Sequence, residues 1–481
     1  MSVSEAVAHV AFLPSAGMGH LNPFLRLAAL FLRYGCKVTL IIAKPMVSLA
    51  ESNLISCFCS SFPHQVTQID FNLIPMDPTT FNTNDPFYLQ YETIRSSVHL
   101  LSEILSSLSK TLSACIFDVL LTSPVVSIAE NLSCPSYIFF PSSARMLSFI
   151  AFVSVLAASH PAAQPHPSTF IGDVVQIPGF TSSIPRSSVP SALLLQGSNP
   201  FQRMLVEDSL NLMKFNGIFI NSFEELEGEA LAALNDGKVV KGLSPVYGIG
   251  PLMACKFENV DQGPRGCMGW ILEWLDEQAE GSVVYVSLGS RTETRKEQIR
   301  DMALGLIECG YSFLWVVKLK RVDREEDEGL EDVLGSELMS KVREKGVVVK
   351  EFVNQMEILG HPAVGGFVSH GGWNSITETV WEGVPVLTWP QGGDQKINSE
   401  CIRISGVGIW PEDWGWGSQD VVRGKEISNR IKEMMNNESL RVKVNEMKKA
   451  ARNAADVGGS CEVFVKRLIE DWKKNIQANH A

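Results

Sequence analysis

His9-Val-Ala-Phe-Leu13, Ser15-Ala-Gly-Met-Gly-His20, Asn22-Pro23 and Lys37-Val-Thr-Leu-Ile-Ile42 follow one another along the chain, and their order decides the fold. The first is a short apolar run of the kind that forms a buried strand. A glycine-bearing turn comes next. Asn22 is a good N-cap, and Pro23 suits the first helical position, where no N–H is needed, so the spacing predicts a helix beginning there. Leu25, Ala28, Ala29 and Leu32 recur at helical spacing, and Gly35 supplies the stop. Lys37–Ile42 reads as a second buried strand. Strand, helix and strand within about 35 residues form a βαβ unit, which implies a parallel sheet.

The same rhythm continues outward. Ala114-Cys-Ile-Phe-Asp118 reads as a strand ending on an acid, Ser136–Phe140 as the next, and Gly217–Asn221 as a further one. Pro, Ser and His break the pattern between Pro161 and Asn199, where irregular loop with short helices is expected. Around Ser244–Gly269 periodicity is lost, which marks a linker. A second alternating set begins at Ser282–Leu288, with strands at Phe313–Val317, Val347–Lys350, Gly366–Ser369 and Val384–Trp389, and from Gly424 onward only helices are expected. Lys318–Asp332, dense in mixed charge, reads as a mobile surface loop. The expected fold is α/β, two Rossmann-like doubly wound halves. The first spans 1–245, the linker 246–269 and the second half 270–459. Ligands of such folds sit at the carboxyl ends of the strands, so a cleft between the halves is the expected site.

Composition narrows the function. The 481 residues, 45% hydrophobic, can bury large cores without metal or disulfide staples. Lys plus Arg is 41 and Asp plus Glu is 53, a formal charge of −12, and no basic stripe offsets it, which excludes nucleic acid as the main partner. The 10 cysteines contain no CxxC pair. Cys57, Cys59 and His64 come nearest to a metal cluster, but a structural zinc site needs a second paired half. The cysteines therefore read as small buried hydrophobes of a reducing compartment. Nothing before Val10 resembles a secretory signal, and Met146–Ala158, the longest apolar stretch, is short of the ~20 residues that span a bilayer. A cytoplasmic protein without metal or cofactor is expected, with a monomer as the default.

Two chemical readings compete at the first turn. Gly17-Met-Gly19 could open a dinucleotide fingerprint, but Asn22 stands where the third glycine belongs. Ala43-Lys44-Pro45 follows the second strand, where an NAD enzyme carries a ribose-binding acid. The alternative is that the turn presents His20 at the mouth of the sheet, where an imidazole can take a proton near neutrality. A base of this kind needs a carboxylate on its far ring nitrogen, and Asp118, closing its strand, is the candidate. A stronger signal runs from Phe352 to Gln395. Within it, Gly366-Phe-Val-Ser-His370-Gly-Gly-Trp-Asn-Ser375 carries a strand into two glycines and a helix expected near Asn374. Helix-end N–H groups, glycines for close approach, and His370, Asn374 and Ser375 as donors make an anion site. No paired acids of the DxD type are present to hold a metal on a diphosphate, so donors and the helix dipole must stabilise a leaving group.

The segment Phe352–Gln395 closely resembles the ungapped signature box of plant UDP-dependent glycosyltransferases, the inverting family-1 enzymes. Weaker similarity covers nearly the whole chain, through the Gly17–Pro23 turn, Asp118, Pro141-Ser-Ser143 and Ser287-Leu-Gly-Ser290. The resemblance implies a GT-B fold with the donor held mainly by the second domain, and a final helix (460–481) crossing back onto the first. It implies a UDP-sugar donor as co-substrate and a small aromatic acceptor. By position, Phe352 stacks on uracil, Val353 pairs with it through the backbone, and Gln355 and Glu378 hold the ribose. His370, Asn374 and Ser375, with Ser290 opposite, match diphosphate contacts, and Gly19 and Ser287 are counted among the UDP-sugar-binding residues. Trp373, Asp394 and Gln395 match residues around the transferred sugar, the final Gln being usual in glucose users. His20 and Asp118 match the base and its orienting acid. Phe352 replaces the usual Trp; base–aromatic stacking is worth about 1–3 kcal/mol, so the smaller ring lowers uridine affinity without abolishing it. Gly371 replaces a common Cys and eases backbone approach.

A finer resemblance is to plant flavonoid C-glycosyltransferases, which carry an Asp-Pro-Phe motif where this chain has Asn84-Asp85-Pro86-Phe87. Val353-Asn354 stands where many O-glycosyltransferases have Ala-Pro. The implied reaction is transfer of glucose from UDP-glucose to C8 of a flavone; O-glucosylation of a flavonoid or phenol is the rival within enzymes, and a non-catalytic nucleotide-sugar binder the rival outside them. Asp85, Phe87, Ile94, Ser142 and the loop at 180–200 are expected to set the acceptor pose.

Overall fold

Strands buried on both faces read as unbroken apolar runs, and they form parallel sheets that helices cover on each side. The structure is a computed structural model that describes residues 7–77, 85–109, 111–160, 166–195, 200–258, 268–289, 294–318, 329–351, 353–416 and 421–480. The chain divides into two compact units, 1–260 with 453–481, and 261–452.

The first unit opens with β1 (His9–Leu13), α1 (Met18–Arg33), β2 (Lys37–Lys44), α2 (Leu49–Ser61), β3 (Val66–Asn72), α3 (Pro86–Leu108), β4 (Ala114–Asp118), α4 (Thr122–Ala129), β5 (Ser136–Phe140) and α5 (Ala144–Ser159). It continues through α6 (Pro200–Asn211), β6 (Gly217–Ile220) and β7 (Val246–Gly248). The seven strands run in the order β3-β2-β1-β4-β5-β6-β7, with every described pairing parallel. The strand order reverses at β1 and β4, where Leu13 pairs with Phe117. Two expectations are corrected here. Val246–Gly248, assigned to the linker from its composition, is the last strand of this sheet, and Leu252 and Phe257 behind it are buried in its core. The first helix begins at Met18, not at Asn22, because Gly17 takes φ of 101° and turns the chain directly out of β1 into the helix. Pro23 thus lies inside α1, and it has no N–H to give the Gly19 carbonyl one turn back.

The second unit carries β8 (Val283–Ser287), β9 (Ser312–Val316), β10 (Gly346–Val349), β11 (Val364–Ser369), α7 (Trp373–Glu382), β12 (Val386–Thr388), α8 (Gln395–Ser405) and β13 (Gly408–Ile409). Its order is β10-β9-β8-β11-β12-β13, again parallel, and reverses at β8 and β11, where Ser287 pairs with Ser369. Tyr285 and Phe367 stack at 4.7 Å across those two central strands. The charged stretch read as a surface loop falls largely on 319–328, outside the described residues, as does 259–267 of the expected linker.

The last helix, α9 (Ser460–His480), belongs to the first unit, and Cys461, Val465, Ile469 and Trp472 are part of its core. The Trp472 ring stacks on Phe31 at 5.4 Å, and its Nε1 donates to the Tyr137 hydroxyl at 3.1 Å. Tyr137 in turn stacks on Phe219 at 4.7 Å. No described helix is long and apolar enough to cross a membrane; α5, the longest apolar stretch, is a core helix. Trp472→Ala removes a filled aromatic site and is expected to destabilise the first unit by about 3–5 kcal/mol, against about 1 kcal/mol for Tyr137→Phe, read by denaturant unfolding.

Candidate active site

In a doubly wound sheet the crossovers on either side of the reversal leave in opposite directions, so the strand ends there are not covered by a helix. In the first unit that point lies beyond Leu13 and Asp118. His20 stands in the first turn of α1, immediately after β1, and its N–H bonds the Gly17 carbonyl at 2.9 Å. Asp118, the last residue of β4, is fully buried. Its two carboxylate oxygens lie 3.1 and 3.0 Å from His20 Nδ1, and Oδ1 also accepts the Leu120 N–H at 3.0 Å. The carboxylate fixes the proton on Nδ1, which leaves the lone pair of the neutral ring on Nε2. The His20 side chain retains 28% exposure, so the ring is reachable while its partner is not.

The turn itself is braced by a residue that sequence reasoning missed. Glu51, buried in the first turn of α2, accepts the N–H groups of Ser48 and Gly17. Its signal was present: Ser48 three residues before Glu51 is a capping box, and the extra bond to Gly17 is the tertiary part that no local pattern shows. Glu227 is similar. Its carboxylate accepts from Ala144 N (2.8 Å) and Arg145 N (3.0 Å), anchoring the start of α5 beside Ser142.

The acceptor-side residues separate. Phe87 and Ile94 line one pocket beside α3, and Asp85 Oδ1 accepts the N–H groups of Phe87 and Tyr88 as the N-cap of that helix. Ser142 is buried just before the α5 N-cap Ser143. Asn84 lies outside the described residues.

In the second unit the reversal point is built around His370. Gly371 takes φ of 82°, and α7 starts at Trp373, one residue before the expected Asn374. A Cβ at Gly372 would come 2.4 Å from His370 Nε2, and one at Gly289 would come 3.0 Å from it. Two loops, after β8 and after β11, therefore close on the imidazole only because both carry glycine there. A Cβ at Gly371 would stand 2.9 Å from Ser399 Oγ and 3.2 Å from the Gln395 carbonyl, so this glycine lets α8 approach. His370 Nδ1 is buried with no hydrogen-bond partner among the described residues, and burial pushes the ring pKa down to about 4. The ring is therefore neutral at pH 7.

The surrounding residues fall into two groups. Gln355 Nε2 donates to Glu378 Oε2 (2.7 Å) and Ser375 Oγ (3.0 Å), which brings three of the expected donor-site residues together. Gln395 Oε1 accepts the N–H groups of Gln391 (2.6 Å) and Gly392 (3.0 Å), so its amide is oriented with the NH₂ turned away from the backbone. Asn398, fully buried and not foreseen, donates to Asp394 Oδ2 (2.8 Å) and to the Gly371 carbonyl (3.2 Å). It sits one helical turn after Asp394, the only local hint available. Val353 is buried beside the Asn354 N-cap. Ser287 ends β8; Gly19 has open space where a Cβ would be. Ser290 and Phe352 lie outside the described residues. Among the described residues no group of three His, Cys, Asp or Glu side chains stands close enough to hold a metal.

One unit thus holds an imidazole oriented by a buried carboxylate, and the other holds glycine-bearing loops that close on a buried histidine. Comparison with known proteins identifies the class. Residues 261–452 match the family model described as UDP-glucoronosyl and UDP-glucosyl transferase. The chain is 72% identical to UDP-glycosyltransferase 708D1 of Glycine max over 100% of both chains. It is 41% identical to UDP-glycosyltransferase CGT of Oryza sativa subsp. japonica over 96% of each. The crystal structure of LpCGTa in complex with UDP superposes with a TM-score of 0.82 at 40% identity, covering 98% of this chain and 99% of that one. The chain belongs to the plant family-1 UDP-glycosyltransferases and has their GT-B fold.

With the folded pKa of His370 lowered from 6.5 to about 4, the unfolded chain takes up a proton first on acidification. The His370 contribution to stability is therefore intact above pH 6.5 and is lost as pH falls towards 4. NMR titration of the His370 ring should show no transition between about pH 5.5 and 8, and a transition in that window contradicts the buried neutral ring.

Proposed function

We propose that the protein transfers glucose from UDP-glucose to an aromatic carbon of a flavonoid, C8 of a flavone being the position favoured, with His20 as general base and Asp118 as its orienting acid. The observation that carries this reading is the pairing of His20 Nδ1 with both oxygens of a fully buried carboxylate at the strand-order reversal. Likeness to proteins named CGT supports the carbon-directed form.

His20 Nε2 takes a phenolic proton from the acceptor, and Asp118 stabilises the imidazolium that forms. In a ring whose hydroxyls are meta to one another, the phenolate places charge on the carbons ortho and para to its oxygen. One of these carbons attacks the anomeric carbon of the sugar from the face opposite the diphosphate. The new C–C bond forms as the C–O bond to UDP breaks, with inversion, and the ring then loses the proton on the attacked carbon to regain aromaticity. An ambident nucleophile reacts through whichever atom lies about 3–3.5 Å from the electrophilic carbon, so acceptor pose decides between carbon and oxygen. The second unit receives the nucleotide. Val353 and Phe352 take uracil, Gln355 and Glu378 the ribose, and Asp394, Gln395 and Trp373 the sugar. His370, Asn374, Ser375, Ser287 and Ser290 take the diphosphate, with the α7 N-terminus stabilising the departing charge.

His20→Ala is expected to lower turnover by about 10²–10⁴-fold while UDP affinity in calorimetry stays that of the wild type; wild-type turnover in the variant removes the base assignment. Heating the product in acid separates the two outcomes for the bond formed: a C-glucoside survives, whereas release of free glucose assigns the enzyme to O-glucosylation.

A further inference from the structure

Cys115 and Cys134 bring their sulfurs to 3.9 Å of each other in the first unit, a hydrogen-bond contact between two free thiols. Cys115 lies in β4, fully buried, and fits the expectation of a small core hydrophobe. Cys134 does not. It stands part-exposed on the turn into β5, two residues before that strand begins. The backbone fixes the approach: the Cys115 N–H donates to the Pro135 carbonyl at 3.0 Å, and Cys115 pairs with Ser136 in the parallel ladder. With Cys115 as donor, the contact holds the Cys134 pKa below its ordinary value, although burial pushes the other way. Cys115 is shifted up, by the same bond first and by burial second. The part-exposed sulfur is therefore the readier thiolate, and the other stands behind it as a protonated thiol.

We propose that these two residues are a modification site for hydroperoxides, with Cys134 as the sulfur oxidised and Cys115 as the one that resolves it into an intrachain disulfide. The Cys134 thiolate attacks an oxygen of hydrogen peroxide; the O–O bond breaks, and the departing hydroxide takes the proton the thiol gave up to become water. The resulting sulfenic acid is attacked by Cys115 Sγ. The S–S bond forms as the S–O bond breaks, and the hydroxyl leaves with the Cys115 proton as a second water. Without a thiol at this distance, further peroxide carries a sulfenic acid on to sulfinic and sulfonic acids, which thiols do not reverse. The disulfide, by contrast, is reopened by thiol exchange. The bridge also closes a covalent loop around Asp118 and α4, the whole crossover from β4 to β5. Closing a loop removes entropy from the unfolded chain, so the oxidised protein is more stable than the reduced one.

The test uses the whole chain, reduced and then exposed to a modest excess of hydrogen peroxide. No Lys or Arg lies between Cys115 and Cys134, so trypsin leaves both in one peptide, whereas glutamyl endopeptidase cuts between them after Glu130. A disulfide joining the two separated peptides, and removed by dithiothreitol, is the expected mass-spectrometric result. Cys57 and Cys59, also part-exposed, serve as internal controls. Cys134 still alkylatable after the treatment, whether or not either control has been oxidised, overturns the inference. In Cys115→Ala, dimedone should label Cys134 as a sulfenic acid about tenfold more than in the wild type. Equal labelling removes Cys115 as the resolving thiol. The bridged protein should melt about 5 °C above the reduced one, and the same treatment should leave the melting temperature of Cys134→Ser unchanged. A bridged protein that melts no higher overturns the stabilising role.

Discussion

The reversal of strand order in each parallel sheet governs what this molecule can do. Between β1 and β4, and again between β8 and β11, the connecting segments depart in opposite directions and leave the carboxyl ends of two central strands uncovered. Backbone N–H groups, a helix start and polar side chains collect at such a gap without disturbing the apolar layers below. The first unit uses it to set a histidine against a buried carboxylate. The second uses it to close glycine-bearing loops around another histidine.

The two imidazoles have different surroundings. His20 stands part-exposed against the buried Asp118 carboxylate. His370 is enclosed, and loss of solvent keeps it neutral. Behind both rings, buried polar groups fix the loops in advance: Glu51 on Gly17, Glu227 on the start of α5, and Asn398 between Asp394 and Gly371. Preorganisation of this kind is where most of the electrostatic benefit of a site originates.

Much of this was legible in the sequence. The strands His9–Leu13, Ala114–Asp118 and Ser136–Phe140 stand where their apolar runs place them, because fully buried strands carry no competing signal. β3 was not recognisable: Gln68 and Asp70 interrupt an edge strand that needs no continuous apolar run. The start of α1 was misplaced because Asn22-Pro23 is a strong local helix-start signal, and the positive φ at Gly17 overrides it only in the context of the sheet. At the sites, spacing and residue type pointed to His20, Asp118 and the 366–375 turn. The bracing residues Glu51, Glu227 and Asn398 remained hidden, since each acts through a tertiary contact. Asp85 shows a related limit. The motif around it reads as acceptor-facing by resemblance, and the N-cap that Asp85 forms on α3 is a local contact that the motif did not announce.

The most direct test of the account is the NMR spectrum of the product formed from UDP-glucose labelled with ¹³C at the anomeric carbon and an acceptor whose ring carbons are also labelled. A one-bond carbon–carbon coupling between the anomeric and ring carbons, together with the large H1–H2 coupling of an inverted centre, is the predicted result. An anomeric carbon bonded only to oxygen would refute carbon transfer, and retained configuration would refute direct displacement by an acceptor that His20 has deprotonated.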